Sequence, residues 1–251
     1  MSELNKITIS IISHSQGELV KKLLKSIEKS KTSSIDTIIL TNNIYEEYSL
    51  KDINLPCKLI QINNSKIKGF GENHNYAFKS CKTDYFCCLN PDITFLEDPF
   101  PDLLKAFNDN KIAMISPKIV NEDLLTEEDS IRNFPTPFLL IKKFFFNSKG
   151  TSNLNIKDNL VFPDWIAGMF ILFKSSHYKE LNGFDENFFL YYEDVDLCLR
   201  AWRKNLKVAN IRSIKVIHNA RRDSHKKLKY MKYHLSSIFK FFFKHLGRFP
   251  R

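Results

Sequence analysis

Apolar and polar residues follow one another along the first half of the chain in blocks whose period changes. Lys6 to Ser13 (KITISIIS) is apolar enough for a buried strand. Leu19, Val20, Leu23, Leu24 and Ile27 then recur at helical spacing, which predicts a helix from about Glu18 to Ile27. A second strand, Asp36 to Leu40, ends in Thr41-Asn42-Asn43, and Cys57 to Ile62 reads as a third. Gly69-Phe70-Gly71 opens a helix through Ala77 and Phe78. Tyr85 to Leu89 (YFCCL) is apolar on both faces until Asn90-Pro91 breaks it, and Ile112 to Ser116 is another short strand. Strands apolar on both faces and alternating with helices predict an α/β fold, its mostly parallel sheet covered on both sides.

The pattern weakens after Asn121. Residues from about 122 to 160 are acidic, then rich in Phe (Phe134, Phe138, Phe144, Phe145, Phe146), then polar, and Pro135 and Pro137 oppose regular structure. This stretch is expected to be a variable insertion over the sheet, near an acceptor or a lipid. Regularity returns at Trp165 to Lys174, and Lys215 to Ile217 leads into His218. No internal repeat or clean linker divides the chain, so the expectation is one domain over 1–222 and a tail over 223–251.

Charge separates those two parts. From Arg221 onward there are ten Lys or Arg against one acid, Asp223, so nine of the ten net positive charges lie in the tail and the two arginines just before it. A near-neutral body argues against a nucleic-acid-binding module. Within the tail Leu228, Met231, Leu235, Ile238, Phe242 and Leu246 recur at helical spacing with lysines beside them. Such a helix suits an anionic membrane surface, and it suits equally a berth on the body with only its lysines wet. The arrangement expected combines the two: Leu228 to Leu235 packed, Phe239 to Phe249 at a membrane or a partner subunit. A homodimer stays open on this reading. There is no signal-peptide pattern and no run of about 18 apolar residues. The five cysteines are odd in number and form no Cys-x-x-Cys pair, which predicts reduced cytoplasmic thiols and no zinc site.

Candidate chemistry gathers at strand ends. Five carboxylates fall between Asp185 and Asp196 amid aromatic and aliphatic neighbours, and the second cluster, Glu193-Asp194-Val195-Asp196, falls where an extended segment turns into a helix. One cap needs one carboxylate, and an apolar wall raises a carboxyl pKa towards the range useful for proton transfer. Ser13-His14-Ser15, Asn42-Asn43 and Asn90-Pro91-Asp92 lie where open α/β sheets collect ligands. A carboxylate such as Asp92 leaving a buried strand can hold a divalent ion against phosphates, although an Asn-Pro-Asp turn is common in its own right. Gly69-Phe70-Gly71 offers backbone N–H groups at a helix start.

The series His14, Asn43, GFGENHNYAF (69–78), LNPDITF (89–95), WIAGMFILFK (165–174), GFDENFFLYYEDVDLCLRAWRKNLKV (183–208) and IHNARRDSH (217–225) resembles the family-2 glycosyltransferases of GT-A fold. It is most similar to their bacterial rhamnosyltransferase branch. The resemblance implies an inverting transferase of cell-surface glycan synthesis that moves a sugar, L-rhamnose from dTDP-rhamnose or a sugar from a UDP donor, to a polysaccharide or a lipid-linked saccharide, polyprenol being the common lipid. Implied roles are Asp194 as general base with Glu193 beside it, and Asp92 with His218 on Mg²⁺ or Mn²⁺. Ser13, His14, Asn43, Gly69, Phe70, Gly71, Asn73, Asn90, Arg221 and Arg222 are implied at the donor; for the two arginines the start of the basic tail is an equal reading. Trp165, Gly168, Asp185 and Glu186 are implied at the acceptor. Asn90 and Asn42-Asn43 stand where many relatives carry Asp, so an inactive scaffold is the rival. The place implied is the cytoplasmic face of a bacterial inner membrane, with peripheral contact through the tail.

Overall fold

The computed structural model describes residues 6–136, 158–219, 228–246 and 248. The first four strands are β1 (Ile7–His14), β2 (Ile35–Ile44), β3 (Lys58–Asn63) and β4 (Tyr85–Leu89). They pair in parallel in the order β3-β2-β1-β4, and β4 is buried at every position. Between them run α1 (Gly17–Ser30) and α2 (Phe70–Phe78). Leu19, Val20, Leu23, Leu24 and Ile27 of α1 are all buried, as their spacing requires.

The rest of the sheet is built from β5 (Ile93–Phe95), β6 (Ile112–Val120), β8 (Leu160–Val161), β10 (Phe170–Lys174) and β11 (Lys207–His218). Its order continues β4-β10-β6-β11-β5, with β8 on β11. β10 runs antiparallel to both β4 and β6, while β6 and β11 are parallel. β11 is twelve residues long, whereas hydrophobicity alone marks only Lys215 to Ile217; polar Asn210, Arg212 and Ser213 interrupt its run. A separate two-stranded antiparallel sheet is formed by β7 (Ile131–Arg132) and β9 (Trp165–Ile166).

Helices α3 (Phe100–Ala106) and α4 (Ser175–Glu180) complete the connections, and α5 (Glu193–Arg203) precedes β11. Side chains pack on both faces of the sheet: α1 and α3 contribute to one core, α2, α4 and α5 to the other. The C-terminal helix α6 (Leu228–His245) joins the second core through Phe241, which is fully buried. Burial of one such side chain is worth about 1.5–3 kcal/mol, enough to seat a helix.

α6 divides by face and not by half. Ser237, Phe241 and His245 are buried, while Met231, Leu235, Phe239, Phe243 and Leu246 point outward. Leu235 is therefore exposed where a packed half was expected, and Phe241 is buried where a membrane half was expected. The physical reason is the 100° step of the helix, which sends residues four apart down one side whatever their place along the axis. Phe138 to Phe146 lie outside the described residues.

Candidate active site

The segment before α5 is strained. Tyr191 and Tyr192 both have φ of +68°, the left-handed region that bulky side chains avoid, at a cost of about 1–3 kcal/mol each. These two residues swing the chain so that the first turn of α5 meets the sheet with Glu193 and Asp194 leading. Asp194 accepts from the Gly168 amide (Oδ2, 2.9 Å) and from the Val195 amide (Oδ1, 2.8 Å). It is crowded on most sides yet keeps a window to solvent. Burial raises its pKa, and the two amides with the nearby Arg132 guanidinium hold that rise back. Glu193 is 5% exposed, its Oε2 has no hydrogen-bond partner, and burial followed by the Asp194 charge pushes its pKa well up. Burial and the Asp194 charge both favour the neutral form of Glu193, and Asp194, held by two amides, is the carboxylate placed to accept a proton.

The exit of β4 lies next to this helix. The Asn90 amide donates to the Met169 carbonyl at 2.9 Å, and the neighbouring Gly168 amide is the one that holds Asp194. Two residues beyond Asn90, Asp92 faces His218, with Oδ2 3.3 Å from Nε2. β5 and the end of β11 pair antiparallel at His218 and Ile93, and the Asn219 amide closes on the Asp92 carbonyl at 2.8 Å, so both backbones are fixed. Asp92 Oδ1 and His218 Nδ1 are buried without hydrogen-bond partners. Burial alone would lower the His218 pKa, but Asp92 and then Glu128 raise it: a buried cation is wanted between these carboxylates. The unpartnered Asp92 oxygen and the His218 Nε2 that faces the same carboxylate are donors that suit a hard divalent ion. Among the described residues no three His, Cys, Asp or Glu side chains stand together as a ready-made ligand set. Oxygens of a bound diphosphate would have to complete the shell.

On the donor side of the sheet, Asn43 and Asn73 work as staples. Asn43 Oδ1 accepts from the Lys68 amide and from Asn64, and its Nδ2 donates to the Lys68 carbonyl at 2.9 Å and stands 3.3 Å from His14 Nδ1. Asn73 Nδ2 donates to the Gly69 carbonyl at 2.8 Å. Gly69 and Gly71 are required by close approach: a Cβ at Gly69 would stand 2.9 Å from the Phe189 carbonyl oxygen, one at Gly71 2.5 Å from Phe184 Cβ. The Phe70 amide is spent on Phe189, and its ring stacks edge-on to His74 and Phe184. Ser13 Oγ caps the turn by accepting from the Gln16 amide, and His14 is exposed at the strand end. Arg221 and Arg222 lie outside the described residues.

A family model described as glycosyl transferase family 2 matches residues 8–180. The chain belongs to that family. A second model, described as the N-terminal domain of galactosyltransferase, matches residues 159–234. The rhamnosyltransferase WbbL of Escherichia coli K12 is 27% identical over 248 residues, covering 94% of this chain and 92% of WbbL. The low-salt glycan biosynthesis hexosyltransferase Agl10 of Haloferax volcanii is 23% identical over 225 residues, covering 86% and 68%. Among solved structures, the mannosyltransferase PcManGT from Pyrobaculum calidifontis, in complex with GDP-Man and Mn²⁺, superposes with a TM-score of 0.66 at 12% identity over 99% of this chain and 67% of its own. GalNAc-T7 with UDP, GalNAc and Mn²⁺ gives 0.65 at 14% identity over 88% of this chain, which spans only 44% of that longer one. The fold is the GT-A architecture that the motif series implied.

In this family-2 glycosyltransferase the four residues expected at the acceptor have separate environments. Gly168 holds Asp194. Trp165, half-buried on β9, donates Nε1–H to the Asn133 carbonyl at 3.1 Å and carries the Arg132 guanidinium 5.7 Å above its ring. Glu186 is exposed and accepts from Asn75, and Asp185 is paired with Lys244 of α6 at 2.6 Å. Two site residues escaped the sequence reading, Glu128 beside His218 and Arg132 beside Asp194. Both sit in the acidic stretch taken for an insertion. A signal was present: Ile131 and Arg132 end a run of acids (EEDS) with an apolar and a basic residue, the mark of a short strand.

Proposed function

We propose that this glycosyltransferase is an inverting, metal-dependent enzyme that transfers a sugar from a nucleoside diphosphate donor to an acceptor hydroxyl. The observation that carries the reading is the chain of contacts Asn90–Met169–Gly168–Asp194, which ties the Asp92–His218 pair to a half-buried carboxylate held by two amides. Asp194 removes the proton of the acceptor hydroxyl as it attacks the anomeric carbon, and the diphosphate leaves from the opposite face. Asp92 and His218 would hold Mg²⁺ or Mn²⁺, which supplies neutralisation of the charge on the leaving diphosphate. Arg132, on the Asp194 side, holds the acceptor or keeps the carboxylate ionised. Similarity to the rhamnosyltransferase WbbL favours a rhamnosyl donor, and similarity to Agl10, a hexosyltransferase of glycan biosynthesis, favours a glycan product.

The acceptor is proposed to be a lipid-linked saccharide presented at the cytoplasmic face of the inner membrane. Support comes from α6, whose outward face carries Phe239 (72% exposed), Phe243 (83%), Leu235 and Met231, with Lys229, Lys232 and Lys240 exposed alongside. No helix among the described residues is long and apolar enough to cross a membrane, so the contact would be peripheral.

The test is release of free nucleoside diphosphate from a panel of dTDP- and UDP-sugars with Mn²⁺, Mg²⁺ or EDTA. Release that needs metal and disappears in Asp92→Asn supports the reading and names the donor; turnover unaffected by EDTA removes the metal. Phe239→Ser/Phe243→Ser is expected to lose sedimentation with vesicles of anionic lipid without loss of fold. Unchanged sedimentation, or a dimer that dissociates in the variant, assigns the stripe elsewhere.

A further inference from the structure

Glu128 lies on the connection between β6 and β7, outside every motif that marks the site. Its amide donates to the Ile119 carbonyl at 3.0 Å, its own carbonyl accepts from Ser130, and the Ser130 carbonyl in turn accepts from Ala167, next to Gly168. The backbone is therefore held on both sides, and the side chain is delivered towards His218 with Oε1 3.6 Å from Nδ1. Both atoms are buried and both lack a hydrogen-bond partner. The imidazole is thus flanked: Asp92 at Nε2, Glu128 at Nδ1. Adjacent Glu127 is already committed to Arg212 and Lys118, so Glu128 alone is free to serve the ring.

We propose that Glu128 is a positioning residue for the metal site: it accepts the Nδ1 proton of His218, fixing the tautomer in which Nε2 offers its lone pair to a divalent ion beside Asp92. A carboxylate behind a ligating histidine sets the ring orientation and raises its basicity, and loss of such a partner typically weakens metal binding about 10–100-fold. The 0.6–0.7 Å by which the pair exceeds an ordinary hydrogen bond is within the reach of a side-chain rotation once Nε2 is engaged (a charge-assisted bond falls at about 2.7–2.9 Å). The inference rests on the metal-dependent reading above and goes further in assigning a residue that acts through His218.

Binding of Mn²⁺ to the full chain, measured by the loss of the free-ion electron paramagnetic resonance signal in the presence of UDP or dTDP, tests it without turnover. Glu128→Gln is expected to weaken Mn²⁺ binding about 10–100-fold, Glu128→Asp to recover part of the loss, and thermal melting to stay near that of the parent. In a His218→Ala background, Glu128→Gln is expected to change nothing further. Wild-type affinity in Glu128→Gln overturns the proposal, as does an equal further loss in the His218→Ala background, which would make Glu128 a ligand in its own right. Absence of Mn²⁺ binding by the unmodified protein overturns the metal reading and this inference with it.

Discussion

Asp194 and Asp196 are two residues apart on α5 and belong to different chemistries. The helix turns 200° between them, so the first faces the sheet edge and the second faces α6. Asp194 meets two amides, the buried Glu193 and a window to solvent; its pKa is raised by burial. Asp196 is fully buried, and burial alone would raise it too. Its partners reverse the sign: His245 at 2.8 Å, Arg200 at 2.7 Å and Lys244 at 2.6 Å bring its pKa down to about 2. The difference lies in the cations: three bond directly to Asp196, whereas Asp194 has only the more distant Arg132. A buried carboxylate without them is a base in waiting, whereas one surrounded by them is a fastening. Arg200 extends the fastening by donating to the Gly183 carbonyl at 2.7 Å and to the Leu181 carbonyl. The tail helix is thereby bolted to the helix that carries the proposed base.

Asp194→Asn breaks the comparison most severely. Turnover is expected to fall by about 10²–10⁴-fold with a loss of thermal stability of at most about 1–3 kcal/mol, because the amide removes a charge the site penalises but leaves one of the two backbone N–H donors without an acceptor; a donor assay and a melting curve read the two effects. Asp196→Asn is expected to do the reverse. It leaves Lys244, His245 and Arg200 facing one another without their anion, a loss of about 3–5 kcal/mol in urea unfolding. If the two variants behave alike, the division of α5 into working and fastening faces is wrong.

Acid sharpens the contrast further. Asp196 has a folded pKa below its unfolded value, so its contribution is present above about pH 4 and is lost as pH falls towards about 2, on the order of 2 kcal/mol. Denaturation midpoints measured across that range should fall in the parent and flatten in Asp196→Asn. Asp194 and Glu193 carry the opposite sign: their folded pKa values are raised, so they oppose folding increasingly as pH climbs from the ordinary carboxylate range to the raised values. The acid limb of turnover should accordingly lie above that ordinary range. The smallest effect expected is that of Asp185→Asn. Its pair with Lys244 is at the rim, so stability should change by about 0–1 kcal/mol; a raised acceptor KM would show that Asp185 also touches the acceptor.

Much of this architecture is legible one strand at a time. β1, β4 and α1 are local patterns, since a strand buried on both faces must be apolar throughout and a helix on a sheet must carry a stripe. The carboxylates at Glu193 and Asp194 stand out for the same reason, being charges in an apolar run. Glu128 and Arg132 do not stand out, because in sequence they are two charges in a polar stretch. The hydrogen bond to Ile119 of β6 brings Glu128 to His218, and the pairing of β7 with β9, some thirty residues later, brings Arg132 towards Asp194. Glycine offers a similar lesson: Gly69 and Gly71 are expected from sequence at a phosphate, and their visible constraint is contact with Phe189 and Phe184.

By itself the sequence determined the alternating α/β order, the motif series of the family and the identity of the charged residues in apolar surroundings, because each is a property of neighbours along the chain. Tertiary structure alone decided which carboxylate became a base and which an anchor. It also decided which face of α6 stayed outside, and that an acid from the acidic stretch stands behind His218. Those outcomes depend on partners 26 to 90 residues away, and a pKa is set by what surrounds a group in space.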